Sequence, residues 1–89
     1  MTYDVKYEKK AVKQIQKLDV SVQRLIKSWI EKNLIGTTDP RRHGRGLKGN
    51  KSNYWRYRVG DYRILADIRD EEIVIINIEV GHRSQIYMR

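Results

Sequence analysis

The sequence predicts an α+β fold in which an N-terminal strand and a two-helix hairpin pack on a mainly antiparallel β-sheet, in the order β-α-α-β-β-β. Apolar residues recur at helical spacing through residues 8–34, and they alternate with polar residues through much of residues 54–80. A length of 89 residues suits one domain with a small core. We therefore expect residues 1–89 to form a single domain that ends in a short C-terminal stub.

The N-terminal half of the chain supplies the predicted scaffold. Alternation over residues 3–7 indicates a first strand. A first helix is predicted over residues 8–18. A second begins after Asp19 or Ser21 as a cap, and Asn33 and Gly36 mark its end. The apolar stripes of the two helices comprise Ala11, Val12, Ile15 and Leu18, and Val22, Leu25, Ile26, Trp29, Ile30 and Leu34.

Residues 36–46 are predicted to be a loop, because turn-forming residues are frequent there. The loop contains Arg41, Arg42 and Arg45, and two interpretations of these cations remain open. They form a solvent-exposed basic connector, or they contact the phosphate backbone of a nucleic acid, with Arg45 as the RNA-binding candidate. His43 is interpreted as a loop residue without a special role.

A β-hairpin is predicted over residues 54–66, with Gly60 and Asp61 as its two-residue turn. Successive side chains in a strand point to opposite faces of the sheet, so Arg56, Arg58 and Arg63 share one face. Three guanidinium groups repel one another unless an anion lies between them, and phosphate suits arginine geometry best. The opposite, apolar face receives Trp55, Tyr57, Val59, Tyr62, Ile64 and Ala66.

The last strand, over residues 73–80, is predicted to pair with the second hairpin strand by matching apolar faces. Its partners would be Ile68 with Val74, Ala66 with Ile76, Ile64 with Ile78 and Tyr62 with Val80. The other face would pair Asp67 with Ile75, Leu65 with Asn77 and Arg63 with Glu79. This register predicts that Glu79 orients the arginines and that Arg83 emerges near Arg63.

Composition limits the partners. The formal net charge is +8, from 19 Lys and Arg against 11 Asp and Glu, which favours nucleic acid, an anionic membrane or an acidic protein. No apolar run approaches the roughly 18 residues that span a bilayer, and the N-terminus lacks a signal-peptide core, so we expect a cytoplasmic protein without a membrane partner. Because cysteine is absent and Asp67, Glu79 and His82 lack a metal-ligand spacing, neither metal nor cofactor is expected.

The order of these segments resembles a RelE-type toxin of the RelE/ParE superfamily of toxin–antitoxin pairs. The matching segments are Leu-Lys-Gly at residues 47–49, Trp-Arg-Tyr-Arg at 55–58, Tyr-Arg at 62–63, Val-Gly-His-Arg at 80–83, and Tyr87. The resemblance implies cleavage of messenger RNA in the ribosomal decoding site, beside 16S ribosomal RNA. It also implies neutralisation by a cognate antitoxin protein that wraps the toxin.

The resemblance also implies roles for individual residues. The basic strand positions of the family fall on Arg56 and Arg58, its hairpin arginine on Arg63, its post-strand arginine on Arg83 and its terminal tyrosine on Tyr87. Two departures stand out. Arginine replaces the common lysine at residues 56 and 58, and the sequence ends two residues after Tyr87.

RNA is cut without metal when its 2′-hydroxyl attacks the neighbouring phosphate, which requires a base, stabilisation of negative charge and an acid. We assign Arg58, Arg63 and Arg83 to the scissile phosphate. Arg56 and Lys48 are assigned to flanking phosphates. Tyr54 is the candidate for base stacking.

The proton carrier remains open between two residues. Tyr87 is implied as base or orienter by the resemblance, and neighbouring arginines would lower the pKa of its phenol. His82 has the better intrinsic pKa for proton transfer. Two alternatives to an endoribonuclease also remain, a ParE-like toxin that inhibits DNA gyrase by binding it and a non-catalytic RNA-binding module.

Overall fold

The computed structural model describes residues 1–47 and 53–81, which contain two helices and five strands and confirm the predicted α+β class. In chain order the elements are β1 (Asp4–Tyr7), α1 (Lys9–Gln16), α2 (Val20–Asn33), β2 (Arg45–Gly46), β3 (Tyr54–Val59), β4 (Tyr62–Arg69) and β5 (Glu72–Val80). The short strand β2 was not predicted. Residues 36–46 are therefore not a loop throughout, because the last two residues pair with β3.

The five strands form one sheet in the order β1-β5-β4-β3-β2. Every neighbouring pair is antiparallel except β1 and β5, so the mainly antiparallel prediction is confirmed. Helix α1 packs against β5 and helix α2 against β3. Their shared core is built from side chains of both helices and the three longest strands, with Tyr57 as its largest fully buried member. The helices therefore cover one face of the sheet.

The helix predictions are correct in position and partly wrong in extent. Helix α1 ends at Gln16 rather than near residue 18, and the Asp19 side chain makes no capping hydrogen bond although Asp19 occupies the N-cap of α2. Val12 and Leu25 are 39% and 48% exposed, because they lie at the margins of the apolar stripes. Neither helix of the described chain is long and apolar enough to cross a membrane.

The β3–β4 hairpin has the predicted turn and register. Gly60 adopts a positive φ of 58°, as the first central position of a type II′ turn requires. Arg58 pairs with Arg63, and Tyr57 pairs with Ile64. The alternation that places arginines on one face and apolar residues on the other is therefore confirmed.

The predicted β4–β5 register is correct from Tyr62 to Leu65 and wrong beyond it. A β-bulge lies between Leu65 and Ala66, so Ala66 pairs with Ile75 rather than with Ile76. The predicted partners of Asp67 and Ile68 are likewise displaced by one residue, to Val74 and Ile73. Residues 73–76 are continuously apolar, so alternation could not fix which side chains face the core. The core receives Ile73, Ile75 and Ile78.

Helix α1 stabilises the strand beside this bulge through one glutamine. Gln14 Oε1 accepts a hydrogen bond of 2.8 Å from the Ile78 backbone N–H, and Gln14 Nε2 donates one of 2.9 Å to Asn77 Oδ1. A bulge disrupts the ladder locally, and these side-chain bonds supply partners there. After the bulge the strand regains the predicted pairing of Glu79 with Arg63.

Candidate functional site

Four arginines line one cleft on the sheet face opposite the helices. The cleft has a volume of about 630 Å³, and Arg45, Arg56, Arg58 and Arg63 contribute to its walls. Backbone at three glycines, Gly44, Gly46 and Gly81, lines it as well. We call this concavity the arginine cleft. It brings together Arg56, Arg58 and Arg63, as the alternation predicted, and it adds Arg45.

Strand register explains why these side chains converge. Arg58 pairs with Arg63 across the hairpin, and Arg45 pairs with Arg56 across β2 and β3. Directly paired residues lie on the same face of a sheet with Cβ atoms about 4.5–5.5 Å apart. Arg56 and Arg58 lie two residues apart on the same face of β3, so the two cationic pairs meet in one cleft. Arg45 lines the cleft, rather than lying in a solvent-exposed connector, because β2 pairs with β3.

None of the described residues that line the arginine cleft is acidic. Arg45, Arg56 and Arg58 are exposed and Arg63 is partly buried. Glu79 lies opposite Arg63, but no ion pair within 4.0 Å joins these two described side chains, so its orienting role stays a prediction. Like charges held together favour binding of an anion, and guanidinium binds phosphate oxygens in pairs. The cleft is suited to a phosphodiester.

Because residue 81 is a glycine, the Arg63 side chain can pass close to its backbone. A Cβ atom at Gly81 would collide with Arg63 Nε and would lie 3.0 Å from its Cγ. The Gly81 N–H donates a 2.6 Å hydrogen bond to the Asp61 carbonyl, which joins the end of β5 to the hairpin turn. Arg63 therefore crosses the backbone at Gly81, and a side chain at residue 81 would require Arg63 to move.

The loop before β2 is attached to β3 by two aromatic side chains. Tyr57 donates a buried 2.6 Å hydrogen bond from its hydroxyl to the Pro40 carbonyl. Trp55 Nε1 donates a 2.6 Å hydrogen bond to the His43 carbonyl, and the Arg41 guanidinium carbon lies 5.7 Å from the Trp55 ring centroid. We call these contacts the loop brace. Burial raises the pKa of Tyr57 well above 10, so its hydroxyl keeps the donated proton.

The loop brace overturns the interpretation of His43 as a residue without a special role. Its carbonyl accepts the Trp55 hydrogen bond, and its ring meets the edge of Trp29 with 5.6 Å between centroids. The next residue, Gly44, has a φ of 78° and lies so close to β3 that a Cβ would collide with the Arg56 carbonyl. The basic loop is thus fixed against the strand that supplies Arg56 and Arg58.

The remaining predicted site residues lie elsewhere or outside the described part of the chain. Tyr54 is on the same face of β3 as Arg56, two residues further from the turn, and does not line the arginine cleft. It pairs with Asp67. Predictions for four residues lie outside the described residues: Lys48, His82, Arg83 and Tyr87.

Sequence reasoning missed the glycines that shape the site. Gly44 and Gly46 flank Arg45, and a Cβ at Gly46 would lie 3.0 Å from the Trp55 ring. Glycines at alternate positions beside an aromatic-rich strand indicate close backbone approach. The pattern Gly-Arg-Gly at residues 44–46 was therefore the available signal for an edge strand that packs on Trp55.

The family model and the relatives that match this chain are all described as toxins. Residues 5–87 match the family described as ParE toxin of type II toxin-antitoxin system, parDE. The chain is 30% identical to a putative RelE-like toxin protein of Escherichia coli, over 98% of this chain and 92% of that protein. It is 28% identical to Toxin RelG of Mycobacterium tuberculosis over the full length of both.

The fold has solved counterparts as well. A chain in the crystal structure of the RelBE2 toxin–antitoxin complex from Mycobacterium tuberculosis superposes with a TM-score of 0.79 at 24% sequence identity. The match covers 92% of this chain and 95% of that one. Two helices on a mixed five-strand sheet are therefore the architecture that this chain has in common with that structure.

Proposed function

Since the chain belongs to the ParE toxin family of type II toxin–antitoxin systems and is a toxin of the RelE type, we propose that it inhibits translation as a ribosome-dependent endoribonuclease. Its substrate in this proposal is messenger RNA held in the decoding site beside 16S ribosomal RNA. Its reaction is metal-free cleavage by attack of the 2′-hydroxyl on the adjacent phosphate. This activity places the protein in the cytoplasm, where translating ribosomes are found.

The observation that supports this proposal most strongly is the arginine cleft. Two rungs of paired cations, Arg45 with Arg56 and Arg58 with Arg63, line one concavity of about 630 Å³. Cations that served only solubility would be spread over the surface, because four neighbouring guanidinium groups repel one another. A site that stabilises a phosphodiester as it acquires extra negative charge needs such preorganised donors.

In the proposed mechanism, Arg58 and Arg63 donate hydrogen bonds to the non-bridging oxygens of the scissile phosphate. These bonds strengthen as the 2′-oxygen attacks and the phosphorus becomes five-coordinate, so they lower the barrier rather than only bind substrate. Arg45 and Arg56 hold flanking phosphates. Arginine keeps its proton at neutral pH, so another group must move protons during the reaction.

Residues after β5 complete the proposed site. Arg83 is proposed to join the phosphate-binding set, and Tyr87 or His82 to take the proton of the 2′-hydroxyl or to donate one to the 5′-oxygen. Lys48 is proposed to contact a flanking phosphate. Arg83, Tyr87 and Lys48 are assigned from the resemblance to the RelE type, and His82 from the intrinsic pKa of an imidazole. All four lie outside the described residues.

A cognate antitoxin is the second partner of this toxin. The solved relative with the same fold was crystallised as a toxin–antitoxin complex. We propose that the antitoxin presents acidic side chains to the arginine cleft, because opposite charge there would both bind the toxin and block the substrate phosphate. Antitoxin and message would then compete for the same guanidinium groups.

Mapping of RNA 5′ ends in a translating extract tests the proposed activity. After addition of toxin, we expect discrete new ends inside the codons of translated messages. The same RNA without ribosomes should be cut poorly. A message with a single 2′-deoxynucleotide at the mapped site should resist cleavage there, because the attacking nucleophile is missing. Equal cleavage of the ribose and deoxyribose messages would refute 2′-hydroxyl attack.

A second candidate function is favoured by the description of the matched family. Residues 5–87 match a ParE toxin model, and a ParE-like toxin would inhibit DNA gyrase by binding it without cutting RNA. In that case toxin would block gyrase supercoiling in a purified assay and leave message 5′ ends unchanged. A non-catalytic RNA-binding module would bind RNA in a salt-dependent manner and affect neither readout.

A further inference from the structure

A second basic cleft lies on the other side of the braced loop. It has a volume of about 360 Å³ and is open to solvent. Its lining includes Lys32, Asn33, Thr37, Arg42 and His43, from the end of α2 and the following loop. The arginine cleft begins at Gly44, the residue immediately after His43. One short segment therefore supplies walls to two separate concavities.

The floor of the second basic cleft is held by backbone contacts. Tyr3 and the loop exchange two hydrogen bonds, from the Tyr3 N–H to the Thr37 carbonyl and from the Gly36 N–H to the Tyr3 carbonyl, each 2.9 Å long. The His43 carbonyl accepts the hydrogen bond from the Trp55 indole, and the His43 ring packs edge-on against Trp29. The cleft is therefore built on the sheet and α2 together, and its cations project from a fixed frame.

The charges at this cleft are of one sign. Lys32 and Arg42 are exposed, and none of the described residues that line the cleft is acidic. Glu31, the neighbour of Lys32, lies near Tyr7, and burial together with the Glu31 charge raises the pKa of that phenol. The Asp39 carboxylate accepts the Arg41 backbone N–H at 3.2 Å. Lys32 lies in the last turn of α2, where the helix dipole favours a cation. The dipole does not explain Arg42, which lies outside the helix.

From this arrangement we propose that the second basic cleft binds an RNA backbone phosphate through Lys32 and Arg42. The proposal rests on the proposed function and extends it. The arginine cleft holds the phosphate to be cut, and the second basic cleft fixes the toxin on the ribosome by a contact that takes no part in chemistry. Phosphate contacts determine register and orientation without reading sequence.

The test compares two double variants that remove the same charge. Lys32→Ala with Arg42→Ala removes the cations of the second basic cleft. Arg24→Ala with Lys27→Ala removes two exposed cations of α2 that line neither cleft. Binding to 70S ribosomes programmed with the 2′-deoxy message is measured between about 50 and 200 mM salt. Single-turnover cleavage of the ordinary message at saturating toxin is measured in parallel.

The cleft variant should bind ribosomes about 10-fold more weakly than wild type at the higher salt, and its slope of log Kd against log salt should fall by about 2 relative to the control pair. Cleavage at saturation should match wild type. Weaker binding to empty ribosomes as well would identify ribosomal RNA as the source of the phosphate, and weakening only with message bound would identify the message. Both results support the phosphate contact.

Affinity and salt slope equal to those of the control pair would overturn the proposal. So would a cleft variant that loses antitoxin binding while it retains RNA binding, since the cleft would then serve a protein. Failure of the proposed function has a different signature. Wild-type toxin would cut no message, while the cleft variant would still bind a duplex RNA oligonucleotide with a smaller salt slope than the control pair.

Discussion

The two faces of strand β3 serve different purposes within six residues. On the helix side, Tyr57 and Val59 are 0% and 2% exposed, and Tyr57 also reaches the loop through Pro40. On the opposite side, Arg56 and Arg58 are exposed in the arginine cleft. By alternation alone, the strand therefore separates the core from the face that carries the arginine cleft. Substitutions at neighbouring residues of β3 should therefore affect different measurements, stability on one face and activity on the other.

The largest effect on stability is expected for Tyr57→Ala. The change leaves a cavity in the core and removes the donor to the Pro40 carbonyl, so we expect a loss of about 3–5 kcal/mol in the free energy of unfolding. Urea denaturation measures it. The adjacent Arg56→Ala is the control, and its cost should stay within about 0.5 kcal/mol because the side chain is exposed. Similar costs for the two variants would contradict the division between faces.

Arg58→Ala should have the converse effect. We expect cleavage of ribosome-bound message to fall about 100- to 1000-fold, as when one transition-state donor is removed elsewhere, while the unfolding free energy hardly changes. Arg24→Ala, an exposed arginine on α2 outside both clefts, should retain full activity. Primer-extension assays on a single message compare the two. If both variants lost activity equally, net charge rather than the cleft would explain function.

Gly44→Ala tests whether the loop must touch β3. Gly44 and Gly36 have nearly equal φ angles of 78° and 77°, so each alanine pays a similar cost of about 1–2 kcal/mol for left-handed backbone. Only at Gly44 would the new Cβ collide with the Arg56 carbonyl, whereas nothing lies within 4 Å at Gly36. We therefore expect Gly44→Ala to be destabilising by roughly 1 kcal/mol more than Gly36→Ala.

Gly44→Ala should also lower the rate of message cleavage, because displacement of the loop moves Arg45 away from Arg56. Gly36→Ala should leave activity near that of wild type. Equal losses in the two variants, in stability and in cleavage, would mean that close approach at Gly44 is unimportant.

A further effect on stability is expected only at alkaline pH. Burial raises the folded-state pKa of Tyr57 above its unfolded value of 10.0, so its contribution to stability is complete below pH 10. Above that pH the unfolded chain releases a proton that the folded protein retains, and stability falls by about 1.4 kcal/mol per pH unit until the folded pKa is reached. Tyr57→Phe should remove this part of the decline. An unchanged pH profile in the variant would assign the decline to other groups.

The sequence predicted the arginine face because alternation and a two-residue turn leave few choices. Gly60 supplies the positive φ, and the pairing of Arg58 with Arg63 follows from the turn. The pairing of β5 with β4 from Tyr62 to Leu65, next to the Gly60 turn, followed from the same alternation. It failed at Ala66 because four consecutive apolar residues, at 73–76, satisfy either face equally well.

What the sequence could not supply were contacts between distant segments. The Pro40 carbonyl and the Tyr57 hydroxyl are 17 residues apart, and Gln14 reaches Ile78 across 64. No local pattern encodes such pairs, since they depend on how the helices settle on the sheet. Arg45, an RNA-binding candidate in a predicted loop, lines the cleft because the unpredicted strand β2 pairs with β3.

The most direct test of the account is the single-turnover rate with which Arg63→Ala cuts ribosome-bound message at saturating toxin. If the arginine cleft holds the scissile phosphate in the transition state, the rate should fall about 100- to 1000-fold although binding is saturated. A variant that folds normally and cuts at the wild-type rate would contradict the account, because the guanidinium group at the centre of the cleft would then have no part in the reaction.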